Sequence, residues 1–165
     1  MRWPRIILVL IVLSVFGAFF HYTLPQRDIV RIVETEVILP ELDGWNRVFY
    51  ASPDSGSSGV ATTRDVRFIT TAYPDEEQTV MVFRNEDTGI LWPPYFKFDS
   101  QDLHTEASNL RSTAADPQWV AITHYGWRNN FFTIYPNALA IEPVESPDVR
   151  LIPWMPIVVL AILAL

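Results

Sequence analysis

Ile6-Ile7-Leu8-Val9-Leu10-Ile11-Val12-Leu13-Ser14-Val15-Phe16-Gly17-Ala18-Phe19-Phe20 carries no charge, and Ser14 is its one polar side chain. Continued to Leu24, the run makes about 28 Å of helix at roughly 1.5 Å per residue. That nearly matches a bilayer hydrocarbon core of roughly 30 Å. A run of this kind crosses lipid as a helix, because its backbone polar groups must all be satisfied internally. The chain beyond Leu24 is therefore read as a domain tethered to a membrane. Residues 1–24 are the expected transmembrane anchor, 25–149 the domain, and 150–165 a second apolar end.

The flank Met1-Arg2-Trp3-Pro4-Arg5 is positive. The positive-inside rule then predicts a cytoplasmic N-terminus, a bacterial inner membrane and a periplasmic domain. Val15 and Gly17 are small enough for a signal-peptide cleavage site. The preferred expectation is an uncleaved anchor, with Trp3 and His21-Tyr22 at the two interfaces. At the other end, Ile157 to Leu165 is apolar without interruption. Pro153 and Pro156 suit the first turn of a helix, and Trp154 suits an interface. From Leu151 this end makes only about 22 Å of helix, so the expectation is a second span whose end lies beyond Leu165.

All 19 acidic residues lie between Asp28 and Asp148, where they meet seven Arg and Lys97, a net charge of −11. Nucleic acid is disfavoured as a partner, since binding it rests on neutralising phosphates. The chain has no cysteine, which removes disulfides, zinc ribbons, iron–sulfur clusters and thiol nucleophiles together.

Between the apolar ends, Asp28–Ile38 is rich in β-branched residues and reads as a strand. Asp54-Ser55-Gly56-Ser57-Ser58-Gly59 reads as a mobile loop. Val66–Thr71 and Thr79–Arg84 read as a hairpin around the acidic tip Pro74-Asp75-Glu76-Glu77. Arg84–Gly89 reads as a turn, and Trp92–Phe98 as an aromatic segment held extended by Pro93 and Pro94. Asp99-Ser100 can cap a helix running to about Ser112, with Leu103, Ala107 and Leu110 on one face. Trp119–Tyr125 is a strand and Asn129-Asn130 a turn. Phe131–Tyr135 and Ala138–Ile141 are expected strands, interrupted by Pro136-Asn137. The fold class is thus α+β: a small, mostly-β, OB-like domain between an N-terminal transmembrane helix and a C-terminal apolar helix.

Four runs together resemble a known family: His21–Gln26, Arg84–Gly89, Pro93–Asp99 and Thr123-His124-Tyr125-Gly126-Trp127-Arg128. They are similar to the family catalogued as domain of unknown function 1523, and the resemblance spans most of the chain. It implies a small membrane-anchored protein of purple bacteria and their relatives. It implies no activity, and by association it suggests an accessory subunit of a respiratory or photosynthetic membrane complex.

Chemistry is sparse. His21, His104 and His124 are the only histidines, and none has a second at ligand spacing, so no metal site is expected. Gly56-Ser57-Ser58-Gly59 is one residue short of the G-x-S-x-G pattern. No phosphate-cradling glycine loop occurs and no nucleophile–base pair stands out, so no cofactor and no enzyme activity are expected. The candidate partner-binding residues are Gly17 and Ala18, small enough for close helix contact, and Trp92, Tyr95, His124, Tyr125, Trp127 and Arg128. The expected partners are membrane lipid and other membrane-protein subunits. The alternative is an envelope ligand-binding domain or an enzyme with a site near His124.

Overall fold

Helix α1, Trp3–Thr23, is apolar around its whole circumference and stands almost bare. Over its most apolar 18 residues only 6% is buried. At about 31 Å it is long and apolar enough to cross a membrane. A computed structural model describes residues 3–38, 65–75, 77–89, 93 and 95–163. The expected loop at 54–59 and the candidate Trp92 lie outside the described residues.

Two residues, Leu24 and Pro25, separate α1 from β1 (Gln26–Ile38). Pro25 cannot continue the helix, and the chain turns directly into a long strand. Then come β2 (Val66–Ala72), β3 (Val80–Asn85), α2 (Ser100–Asn109), β4 (Trp119–Tyr125), β5 (Asn137–Val144) and α3 (Trp154–Leu163). The strands close a barrel in the order β1-β2-β3-β5-β4. A five-stranded barrel with its helix between the third and fourth strands has OB-type architecture. All neighbours are antiparallel except β3 and β5, which run parallel and share one register pair, Arg84 with Asn137. β1 serves two partners: residues 26–31 pair with β4 and 31–38 with β2, with an irregularity between Ile32 and Glu34. An extra residue of this kind bends a strand, which lets β1 wrap the barrel.

Val30, Ile32, Ile69, Phe83, Val120, Ile122 and Ala138 fill the interior at 0% exposure. Each large side chain among them contributes roughly 1.5–3 kcal/mol by leaving water. Leu103 and Ala107 of α2 plug this core, with Leu110 packed against it, on the expected helix face. The capping group of α2 differs from expectation. Asp99 makes no side-chain cap bond. Instead the Asp87 carboxylate accepts from the Ser100 amide at 2.8 Å and from its hydroxyl at 2.9 Å. A carboxylate there also complements the helix dipole.

One expected strand is absent. Phe131–Tyr135 forms a turn, because the Asn129 side-chain oxygen accepts from the amides of both Phe131 (2.9 Å) and Phe132 (3.1 Å). Asn129 and Ile134 then pair as an isolated bridge, and Thr133 takes a positive φ of 54°. Local side-chain bonding from Asn displaces the β ladder that the aromatic and β-branched composition favoured. The next strand, β5, starts at Asn137 and runs through Pro143 to Val144.

Candidate functional site

Described residues from the four runs of the resemblance meet around the point where α1 enters the barrel. Tyr22, in the last turn of α1, packs edge-on against Tyr125 (6.1 Å) and Trp127 (5.2 Å). Trp127 donates its indole N–H to His21 Nδ1 at 2.9 Å. Tyr95 stacks on Tyr125 at 5.1 Å and donates its hydroxyl to the carbonyl of Thr23. The Gly126 amide donates to the Tyr22 carbonyl. These bonds satisfy helix-end carbonyls that α1 leaves without intrahelical partners. The last turn of α1 is built into the barrel.

Beneath the aromatic rings lies a buried polar layer at the β3–β5 seam. Asn137 accepts from the Glu86 amide at 2.9 Å and donates to the Glu86 carbonyl at 3.0 Å. Its side chain thereby imitates a strand partner where the ladder is short. It also donates to the Tyr125 hydroxyl at 3.3 Å. Arg84 and Glu86 form an ion pair at 3.0 Å with side chains 3% and 4% exposed, and Arg84 hydrogen-bonds Tyr22. The run Arg84–Gly89, expected as a turn, thus opens on an internal brace between Arg84 and Glu86. Breaking such a pair strands a buried charge and is strongly destabilising.

Lys97 completes the seam, donating to Asn85 Oδ1 and to the Ala138 carbonyl at 2.8 Å. Burial pushes its ammonium down to about 8, against a partial opposing pull from Asp99 and Asp87. Burial also raises the Tyr95 hydroxyl, assisted by Tyr125.

His124 faces the barrel interior against Phe83, ring centroids 4.9 Å apart. Its Nε2 lies 3.2 Å from Asp28 Oδ2, which also accepts from the Tyr73 hydroxyl at 2.6 Å. Burial alone would lift the Asp28 carboxyl, but the bonds from His124 and Tyr73 outweigh it and hold it below the usual range. His124 Nδ1 is buried with no partner among the described residues. The imidazole is thus enclosed, with one ring nitrogen engaged and the other left over.

Of the candidate residues, Tyr95, Tyr125 and Trp127 meet around Tyr22. Arg128 points elsewhere, with its guanidinium 4.1 Å over the Tyr135 ring and bonded to the Ile134 carbonyl at 3.0 Å. Gly17 and Ala18 sit exposed on α1, and no neighbouring side chain comes within 4 Å of a Cβ placed at Gly17. Sequence reasoning misses Tyr22, Arg84, Glu86 and Asn137 as parts of this joint. A signal is present in Asn137, which follows Pro136 at a strand start where a polar side chain needs a buried partner.

A cleft of about 470 Å³ lies beside the α1–β1 junction, lined by Pro25, Phe96, Phe98, Thr123, Leu139 and Met155 among others. Met155 belongs to α3, so both apolar helices border one end of the barrel. Among the described residues no three His, Asp or Glu side chains gather as a metal site.

These features define an OB-type barrel fused at one end to an apolar helix. The chain belongs to the family described as "Protein of unknown function (DUF1523)", which matches residues 1–165. It is similar to a protein of Haemophilus influenzae named "Uncharacterized protein", at 33% identity over 150 residues, covering 89% of this chain and 79% of that one. Neither description carries an enzymatic name. No solved structure matches the chain.

Proposed function

We propose that this protein is a non-enzymatic accessory subunit of a larger inner-membrane complex, anchored by α1 and presenting its acidic barrel to the periplasm. One observation carries the reading. The last turn of α1 is integrated into the barrel through Tyr22 and Thr23, while Ile6 to Phe19 offers an exposed surface whose one polar side chain is Ser14. Helices associate in lipid through close packing, and Gly17-Ala18 permits it. A respiratory or photosynthetic complex is the class that the resemblance suggests by association. Purification of the full chain in gentle detergent, with mass spectrometry of its companions, tests the proposal. Stoichiometric membrane subunits are expected. A chain that always elutes alone, or a mature mass lacking α1, overturns it.

A second reading rests on the leftover His124 Nδ1 beside Asp28: a ligand site inside the barrel mouth. A ligand that stabilises the native chain but not His124→Gln would support it.

A further inference from the structure

The loops beside the α1 junction turn large apolar side chains outward. Phe96 and Phe98 are 61% and 66% exposed on either side of buried Lys97, and Phe131 is 87% exposed. Two of the three described non-glycine residues with positive φ, Phe96 at 51° and Thr133 at 54°, fall in these same two loops. Non-glycine residues resist that conformation, and it persists only where the surrounding fold imposes it. In the first loop the turn at Phe96 sends the Lys97 ammonium inward to Asn85 while its two phenylalanine neighbours face out.

Contacts place Phe96, Phe98 and Trp127, and Phe131 follows Trp127 in its loop. Phe96 and Phe98 share a cleft with Pro25, two residues beyond α1, and with Met155 in the first turn of α3. Trp127 holds His21 in the last turn of α1 and begins the loop that exposes Phe131 and Phe132. With α1 spanning the bilayer, this level of the molecule is where hydrocarbon gives way to headgroups. Aromatic side chains favour that boundary.

We infer that the α1-proximal rim of the barrel, carrying Phe96, Phe98, Trp127 and Phe131, is itself seated in the lipid headgroup layer, so that the domain rests on the membrane. The inference rests on the anchored reading proposed above. Its occupant is the bilayer because the rim is continuous with α1, the apolar helix of membrane-spanning length. The domain's charge of −11 between Asp28 and Asp148 gives no attraction to anionic headgroups, so seating depends on apolar insertion and tolerates neutral lipid.

The chain lacks cysteine, which allows clean single labels. Leu13→Cys, Phe98→Cys, Phe131→Cys and the distant Asp116→Cys would each carry a polarity-sensitive fluorophore on the full chain in zwitterionic nanodiscs. Lipids bearing a nitroxide near the headgroup should quench Phe98 and Phe131 labels, and a water-soluble quencher should quench only Asp116. Leu13 should respond to a nitroxide deep in the acyl chains. Aqueous quenching at Phe98 and Phe131 with Leu13 still deep overturns the seating and leaves the anchor standing. Loss of the deep Leu13 signal overturns both. Protection of Phe98 and Phe131 from both quenchers assigns the rim to a protein contact and overturns the lipid seat. Agreement between the two rim positions guards against local disturbance by either substitution.

Discussion

The amide of Gly126 donates a 2.9 Å hydrogen bond to the carbonyl of Tyr22, so the first residue past β4 closes the last turn of α1. Gly126 holds φ at 97°, and an added Cβ would meet Pro136 at 3.5 Å and the Tyr22 ring at 3.6 Å, ordinary contact distances. Space is therefore available and the backbone angle is the obstacle. Gly126→Ala should destabilise the chain by about 1–3 kcal/mol, read as a lower unfolding midpoint in detergent. An unchanged midpoint would show that the joint does not need this geometry.

Lys97 gives the barrel a pH signature. Its ammonium titrates at about 8 when folded against 10.5 ordinarily. Between those values the unfolded chain holds a proton that the native chain has lost, so stability rises with pH. Relative to Lys97→Met, the wild type should gain up to about 3 kcal/mol as pH rises through that window. At neutral pH the variant strands Asn85 Oδ1 and the Ala138 carbonyl, at a cost of about 1–3 kcal/mol. Parallel curves for the two proteins in urea titrations above pH 8 would refute the assignment.

Asp28 has the opposite dependence. Its folded carboxyl titrates below the unfolded one, so its contribution is present above the unfolded value and disappears as pH falls through the folded value. Asp28→Asn should lose about 1–2 kcal/mol near neutrality. The gap from wild type should close in acid. Tyr73→Phe should move the Asp28 titration back toward the ordinary range, measurable by carboxyl-carbon NMR.

If α1 docks in the membrane as proposed, changing both Gly17 and Ala18 to Leu should leave insertion intact and weaken co-purification with partner subunits, because both positions are exposed on α1 and small residues allow close approach. Full recovery of the complex with the double variant would make α1 a plain tether.

For orientation, the positive flank at Arg2 and Arg5 argues for a cytoplasmic N-terminus. Protease added to spheroplasts should digest the barrel while a tag at Met1 stays protected. The reverse pattern would invert the topology.

The strands are legible wherever β-branched residues alternate without competition, as in Asp28–Ile38 and Val66–Thr71. Phe131–Tyr135 has the same composition and forms no strand, since Asn129 offers its amides a local acceptor. The helix face Leu103, Ala107, Leu110 is readable from spacing, but its cap is not. Asp87 reaches Ser100 from 13 residues away, a separation that local pattern does not encode. The joint is half visible: Tyr95, Tyr125 and Trp127 stand out as aromatics. Tyr22 reads as an interfacial anchor because it ends an apolar run, and that location conceals its packing against the barrel. Arg84 and Glu86 are hidden because a charged run ending in Gly reads as a turn, and local pattern does not show that the two side chains pair inside the barrel.

A barrel hung on a flexible linker could face any direction around its anchor. Here Tyr22, Thr23 and His21 are held by two loops, through Gly126 and Trp127 after β4 and through Tyr95, so the azimuth of the domain follows the helical phase of α1. One residue inserted midway along α1 would swing the barrel by roughly 100° relative to the helix face above it. A surface that recognised one face of α1 would thereby also select which side of the barrel it meets, and the spacing of residues along the helix would set a direction beyond its end.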